Sequence, residues 1–294
     1  MIATDLTGNP VIDLHCHSTA SDGSLSPTEV VGRGLEQGVQ VLALTDHDTV
    51  AGLAEARAAS DAAGIVLING IELSCLWRGQ TIHVVGLDFD AEDPELLAAV
   101  EGQEGIRHER ARTIDERLRH KGLPSVLDEA RALAAGVPGR PHFAQALVDR
   151  GVVARADAAF RRYLGNGRVG DIKACWPDLG EVVQWIVRAG GQAVLAHPRK
   201  YRLTNTRLKR LIADFVAEGG SSIEVLSSGQ SPQDTAYLAR LCRESDCSAS
   251  GGSDFHSPGR HWCELGKLPQ LPQELDPVWQ TFSGPTRGRL QVLS

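Results

Sequence analysis

The chain has 294 residues, 42% of them hydrophobic and 23% charged, ordinary globular usage that excludes a disordered, collagen-like or coiled-coil protein. At about 150 residues per domain there is room for two domains, or for one α/β barrel of ~250 residues. The net charge of −7, from 30 basic and 37 acidic residues, excludes a protein that coats nucleic acid with a broad basic surface, so any anionic substrate must meet local positive charge.

No apolar run approaches the ~20 residues of a membrane span. Residues 1–10 have neither the basic nor the apolar region of a signal peptide, so the reading is a cytoplasmic protein with no membrane contact. The six cysteines (16, 75, 175, 242, 247 and 263) include no CxxC pair and read as reduced, packed thiols.

In chain order, residues 11–17 (VIDLHCH) read as a buried strand. Ser26, Pro27 and Glu29 then spell a capping box with proline at the first helical position, and Gly38 stops that helix. Strands follow at 39–44, 65–70 and 81–87, with an alanine-rich helix at about 49–64 between the first two. From 93 to 177 the strand signal disappears, and charged helices are predicted at 94–120, 126–135, 141–150 and 156–164. Alternation resumes with helices at 179–188, 205–218 and 232–244 and strands at 192–196, 222–226 and 248–254. The expected fold is a parallel α/β barrel of seven strands, residues 1–92 and 178–294, interrupted by a helical cap at 93–177.

His15 and His17 lie two apart at a strand end, so both imidazoles share a face above Asp13, half of a divalent-metal site, with Cys16 turned away into packing. Asp22 follows in a loop of small residues. Chemistry-bearing residues recur at or near later strand ends: Asp46, His47 and Asp48, then Glu72, His83, His197, and Asp254 with His256. In a parallel barrel those ends converge on one mouth, where active sites form.

These motifs, DLHCHSTASDG, TDHD, GIELS, the HVVGL histidine, AHP and GSDFHS, occur in an order that resembles the PHP (polymerase and histidinol phosphatase) domain, a phosphoesterase branch of the amidohydrolase superfamily. The resemblance implies a distorted (βα)7 barrel and two or three divalent ions, Mn²⁺ first among Mg²⁺, Fe²⁺ and Zn²⁺. It implies that His15, His17, Glu72 and Asp254 hold one ion, Asp22, His47 and His256 a second, and Glu72, His83 and His197 a third. Three carboxylates facing three such ions leave a surplus of about +3, which attracts phosphate.

Asp46 and Asp48 flank a ligand and are expected to orient imidazole N–H groups, or in the case of Asp48 to cap the helix that follows. Arg140 and His142 sit at a predicted helix start, a geometry suited to an anion, and Lys173, Arg199 and Lys200 add positive charge near the mouth. Trp176 is a candidate for base stacking, with packing as the alternative.

Within the family, the insert and the stretch after AHP look most similar to members that act as 3′,5′-nucleotide bisphosphate phosphatases and 5′→3′ exoribonucleases. That implies hydrolysis of the 3′-phosphate of a small nucleotide, or trimming of short RNA ends, with no extended nucleic-acid surface. Asp254 would hold and deprotonate the attacking water, Arg140, His142 and Lys173 would clamp the other phosphate, and His142 or His197 would protonate the leaving oxygen. The alternatives are a histidinol-phosphate phosphatase, which needs no second anion clamp, and a metal-binding module without catalysis.

Overall fold

The computed structural model describes residues 10–172, 176–259 and 262–291. Seven strands form one sheet in chain order: β1 (Ile12–Cys16), β2 (Val41–Leu44), β3 (Val66–Trp77), β4 (Gln80–Leu87), β5 (Gln192–Leu195), β6 (Ser222–Ser227) and β7 (Ser248–Gly252). Beyond β7 the chain returns to β1, where Cys16 bridges Phe255 in parallel and His17 N–H donates to the Phe255 carbonyl at 2.9 Å. The sheet is therefore a nearly closed barrel.

Helix α1 (Pro27–Glu36) starts at the predicted capping box: Ser26 Oγ accepts from Glu29 N–H, and the Glu29 carboxylate accepts from Ser26 N–H. Helix α2 (Leu53–Ala63) begins later than predicted, with Gly52 as its cap, and ends at Gly64 in the left-handed region. Between sheet and helices, Val30, Leu42, Leu67, Val183, Phe215 and Ile223 belong to the main apolar core, while a separate cluster joins Leu14, Ala43, Ile68 and Val85 to Phe282 from the C-terminal segment.

One strand overturns the parallel reading. β4 pairs antiparallel with both β3 and β5, because Arg78 (φ +49) and Gly79 (φ +76) form a two-residue turn of the kind that closes hairpins. β3 consequently runs on to Trp77, and Glu72 lies within it, not at its end. His83, opposite Ser74 in the hairpin register, reaches the mouth from the early part of a strand that runs the other way.

Helices α3 (Pro94–His120), α4 (Leu127–Leu133), α5 (Arg140–Asp149) and α6 (Ala156–Ala159) follow β4. Leu96 at the start of α3 joins the barrel core, while Ile114 and Leu118 near its end join Phe143, Leu147 and Leu164 in a core of their own. The helix predicted at 156–164 changes character half-way, because Phe160–Leu164 is a π turn in which Gly165 N–H donates to the Phe160 carbonyl at 2.8 Å. A Cβ at Gly165 would lie 2.6 Å from that oxygen, so glycine permits the bond. Helices α7 (Leu179–Arg188), α8 (Asn205–Ala217), α9 (Pro232–Glu244) and α10 (Gly284–Gln291) complete the α-helices of the described residues. Sequence periodicity did not predict α10.

No described helix is long and apolar enough to cross a membrane. Among the described cysteines none pairs, and Cys16 is buried with Sγ donating to the Ala43 carbonyl.

Candidate metal centre and anion cleft

Glu72, fully buried in β3, is the hub of the mouth. Its Oε2 lies 3.4 Å from His15 Nε2, 3.3 Å from His17 Nε2 and 2.9 Å from His47 Nδ1, and its Oε1 lies 2.9 Å from both His83 Nδ1 and His197 Nε2. Asp254 Oδ1 approaches His15 Nε2 at 3.6 Å and His17 Nε2 at 3.3 Å. Asp22 Oδ1 stands 3.3 Å from His256 Nε2 and 3.9 Å from His47 Nε2. Among the described residues three groups could each hold a cation: His15, His17, Glu72 and Asp254; His17, Asp22, His47 and His256; and His47, Glu72 and His83.

The backbone is strained where it delivers these groups. Asp48 (φ +54), His197 (φ +29) and Asp254 (φ +54) all occupy the left-handed region, at a cost of order 1–3 kcal/mol each. Buried hydrogen bonds hold them there: Asp48 N–H to the Glu72 carbonyl (2.9 Å), His197 N–H to Glu224 Oε2 (2.6 Å) and Asp254 N–H to the His15 carbonyl (2.8 Å). Gly252, just before Asp254, has no room for a side chain, since a Cβ there would sit 2.1 Å from His15 Cβ.

Electrostatics couple the buried groups. Burial pushes the Glu72 carboxyl up, but His47, His83 and His15 outweigh it and hold it well below the usual carboxylate range. Asp254 is held low in the same way by His15 and His17, and Asp22 by His256 and His47. Burial disfavours a charged His17, yet the adjoining Asp254 and Glu72 carboxylates raise it to about 10. His47 goes the other way, because burial outweighs Glu72 and Asp22.

The donor set fits divalent ions. His17 Nδ1, Asp22 Oδ1, His47 Nδ1, Glu72 Oε2 and His197 Nδ1 are buried without a hydrogen bond of sound geometry, a state that costs about 1–3 kcal/mol per group unless something else satisfies it. Imidazole nitrogens and carboxylate oxygens that face one another in this way suit Mn²⁺, Fe²⁺ or Zn²⁺.

A cleft of about 530 Å³ opens beside the centre, lined by Asp22, His47 and His83 and by the cations Arg78, Arg107, Arg110, Arg140, Lys200 and Arg207. An acidic protein thus presents a basic cleft at this point. The start of α5 is part of it: Gly139 packs against Asp22, and its N–H donates to His142 Nδ1 at 3.0 Å. Arg140 Nη1 donates to the Leu164 carbonyl (3.2 Å) with Asp171 at 3.9 Å.

The PHP domain model matches residues 13–120. A 5′-3′ exoribonuclease of Haemophilus influenzae is 47% identical over 270 residues, which cover 92% of this chain and 98% of that protein. The chain belongs to the PHP domain family. A 3′,5′-nucleoside bisphosphate phosphatase of Chromobacterium violaceum is 42% identical over 271 residues, 92% of this chain and 95% of that one. The structure of an amidohydrolase from the same species, with bound sulfate and no metal, matches with a TM-score of 0.87 and 41% identity, covering 95% of this chain and 96% of that chain.

The PHP mouth gathers all nine side chains that the sequence points to as ligands: His15, His17, Asp22, His47, Glu72, His83, His197, Asp254 and His256. Their grouping differs at two places: His17 joins Asp22, His47 and His256 in the second group, and His47 completes the third with Glu72 and His83 while His197 meets Glu72 Oε1. Of the expected phosphate contacts, Arg140 and Lys200 line the cleft, Lys200 forms an ion pair with Asp254, and Lys173 lies outside the described residues. Arg199 is a correction: its Nε donates to Asp234 at 2.6 Å and its guanidinium lies over the Tyr237 ring, so α9 claims it and it does not line the cleft.

Asp46 and Asp48 are corrections too. Asp46 accepts from Ser18 N–H, Ser18 Oγ and Ser21 Oγ at 2.6–2.7 Å, tying down the loop that carries Asp22. Asp48 accepts from Ser74 N–H and from Arg107 Nε, both at 2.6 Å. Neither carboxylate reaches an imidazole because closer backbone and hydroxyl donors occupy it. Trp176 is buried at the lining of the cleft, with the guanidiniums of Arg107 and Arg110 each 5.6 Å from its ring, so it packs against arginines, as the packing alternative has it.

Three side chains of the centre and its cleft were given no role in the sequence reading. Glu224, buried in β6, contacts His15 Nδ1 at 3.3 Å as well as His197 N–H; its signal was a lone acid in an apolar strand. Tyr201 Oη accepts from His83 N–H at 2.9 Å, and its ring meets His197 edge-on. Arg107 had no signal among the many charges of α3.

Proposed function

We propose that this chain is a metal-dependent phosphoesterase that removes the 3′-phosphate of nucleoside 3′,5′-bisphosphates and, by the same cleavage, trims short RNA from its 5′ end. The reading rests on one observation: a buried N/O donor centre and a separate wall of arginines open into the same cleft. Names carried by relatives at 47% and 42% identity support it. Mn²⁺ is the proposed ion, the cytoplasm the proposed location, and residues 93–177 the proposed substrate-selecting cap on a barrel of 1–92 and 178–294.

The nine mouth residues would hold the ions, with Glu72 shared between sites. Divalent ions bound there supply positive charge to the phosphoryl oxygens and make a nearby water more acidic. Asp254, kept anionic by His15 and His17, accepts the proton of the attacking water, and Lys200 steadies its carboxylate. Because His142 Nδ1 accepts from Gly139 N–H, its ring proton sits on Nε2, which makes His142 a neutral donor to the non-reacting phosphate beside Arg140. His197, turned onto Glu72 through Nε2, serves as a ligand and not as a proton donor.

The test is phosphate release from adenosine 3′,5′-bisphosphate by Mn²⁺-loaded protein. Turnover should far exceed that of a His15→Ala control; equality of the two would remove the proposal. A higher kcat/KM for histidinol phosphate would replace it with the single-anion reading.

A further inference from the structure

The cleft holds more positive charge than two phosphates need. With the reacting phosphate at the metal centre, the terminal 5′-phosphate against Arg140 and His142, and Arg107 and Arg110 gathered at Trp176, two further lining cations, Arg78 and Arg207, remain unassigned. They stand on different elements, the turn of the β3–β4 hairpin and the first turn of α8, and each guanidinium lies about 5.5 Å from the Trp77 ring (5.5 and 5.6 Å). Trp77 is fixed in turn by its Nε1–H, which donates to Asp214 Oδ2 at 2.9 Å.

Charge at this wall is unbalanced. Asp214 also meets Arg78 at 3.2 Å and Arg210 at 2.9 Å, so one carboxylate is shared by two guanidiniums and the Trp77 indole, and among the described residues no carboxylate forms an ion pair with Arg207. The hairpin gives the wall its position. β5 covers β4 only over Val84–Leu87, whereas β3 and β4 remain paired out to Trp77 and Gln80, so the outer hairpin projects past the strand that neighbours it and leads away from His83. Arg78 is half exposed, open to an anion arriving from solvent.

We infer that Arg78 and Arg207 bind the next phosphodiester of a single-stranded RNA, the one 3′ to the reacting phosphate. This deepens the function proposed above and rests on it for the placement of the other two phosphates. A mononucleotide bisphosphate ends at the reacting phosphate and does not reach this wall, whereas an oligonucleotide continues along it. The two arginines therefore set preference for RNA over mononucleotide and leave the chemistry untouched.

The experiment compares kcat/KM of the Mn²⁺-loaded native chain, Arg207→Ala and the double variant Arg78→Ala/Arg207→Ala on adenosine 3′,5′-bisphosphate and on a 5′-phosphorylated tetranucleotide. A lost charge-assisted contact predicts about a tenfold loss on the tetranucleotide for the double variant, a change under about twofold on the bisphosphate, and a shallower salt dependence for the tetranucleotide alone. Arg207→Lys should recover part of the loss, and unchanged melting temperatures exclude misfolding. Equal losses on both substrates, or no loss on either, overturn the inference. If the native chain turns over neither substrate, the proposed function falls separately, and binding of a fluorescent tetranucleotide decides: weaker binding by the double variant supports the wall, unchanged binding overturns it.

Discussion

At the residue scale the centre depends on groups that never touch substrate. Glu224 stands behind two imidazole-bearing residues, and outer partners of this kind typically contribute ten- to a hundredfold in metal affinity. Glu224→Gln should weaken Mn²⁺ binding by about that factor while the chain keeps its far-ultraviolet circular dichroism; metal titration followed by elemental analysis checks both. Protonation offers a second test. The folded pKa of His17, about 10, lies above its ordinary value near 6.5, so in the metal-free chain this group contributes stability that is complete below about pH 6.5 and is lost as pH rises through about 10. Ion binding needs the imidazole neutral, so metal uptake near pH 8 should release protons. Titration calorimetry in buffers of different ionisation enthalpy reads this directly, and a heat independent of buffer contradicts it.

At the scale of elements, α5 joins the helical segment to the chemistry. Its core side chains Phe143 and Leu147 pack within that segment, while its first residue reaches the cleft. Arg140→Ala should therefore lower kcat/KM on adenosine 3′,5′-bisphosphate by tenfold to a hundredfold, the worth of a charge-assisted arginine–phosphate contact. Activity on p-nitrophenyl phosphate, which carries no second phosphate, should change little, and metal content not at all. Equal losses on the two substrates would show that the segment only covers the barrel. The hairpin is a comparable element: Arg78 at its turn lines the same cleft, and its two-residue turn aligns His83 with the mouth.

For the molecule as a whole, the donor groups come from strands β1, β3 and β4 and from the loops after β1, β2, β5 and β7, so ions bound at their meeting point should tie the barrel together. At an ion concentration a hundredfold above the dissociation constant, linkage gives about 2.7 kcal/mol. In a chain of 294 residues, at about 2.1 cal/mol/K of unfolding entropy per residue, that corresponds to roughly 4–5 °C in melting temperature. Chelation should lower Tm by that amount and re-addition of Mn²⁺ should restore it; scanning calorimetry checks this, and an unchanged Tm would mean that the donors do not share bound ions.

Alternation of apolar runs with amphipathic stretches, the capping box at Ser26 and the extents of α3, α7 and α9 were legible in the sequence, because local backbone preference and side-chain periodicity decide them. So were the nine mouth residues, whose spacing at or near successive strand ends reflects a period of two and one shared rim. The reversal of β4 was not legible, since it turns on two positive φ angles at Arg78 and Gly79 and on pairing with β5 more than a hundred residues away. The roles of Asp46, Asp48 and Arg199 were hidden for a related reason: a carboxylate or guanidinium bonds to whichever partner the fold brings nearest, and Ser18, Arg107 and Asp234 are distant in the chain or on other elements. Glu224 and Arg207 acquire their roles only from three-dimensional position, one as a buried acid among imidazoles and the other as a cation at the wall of a cleft, because electrostatic interaction depends on distance and burial, which residue order alone does not specify.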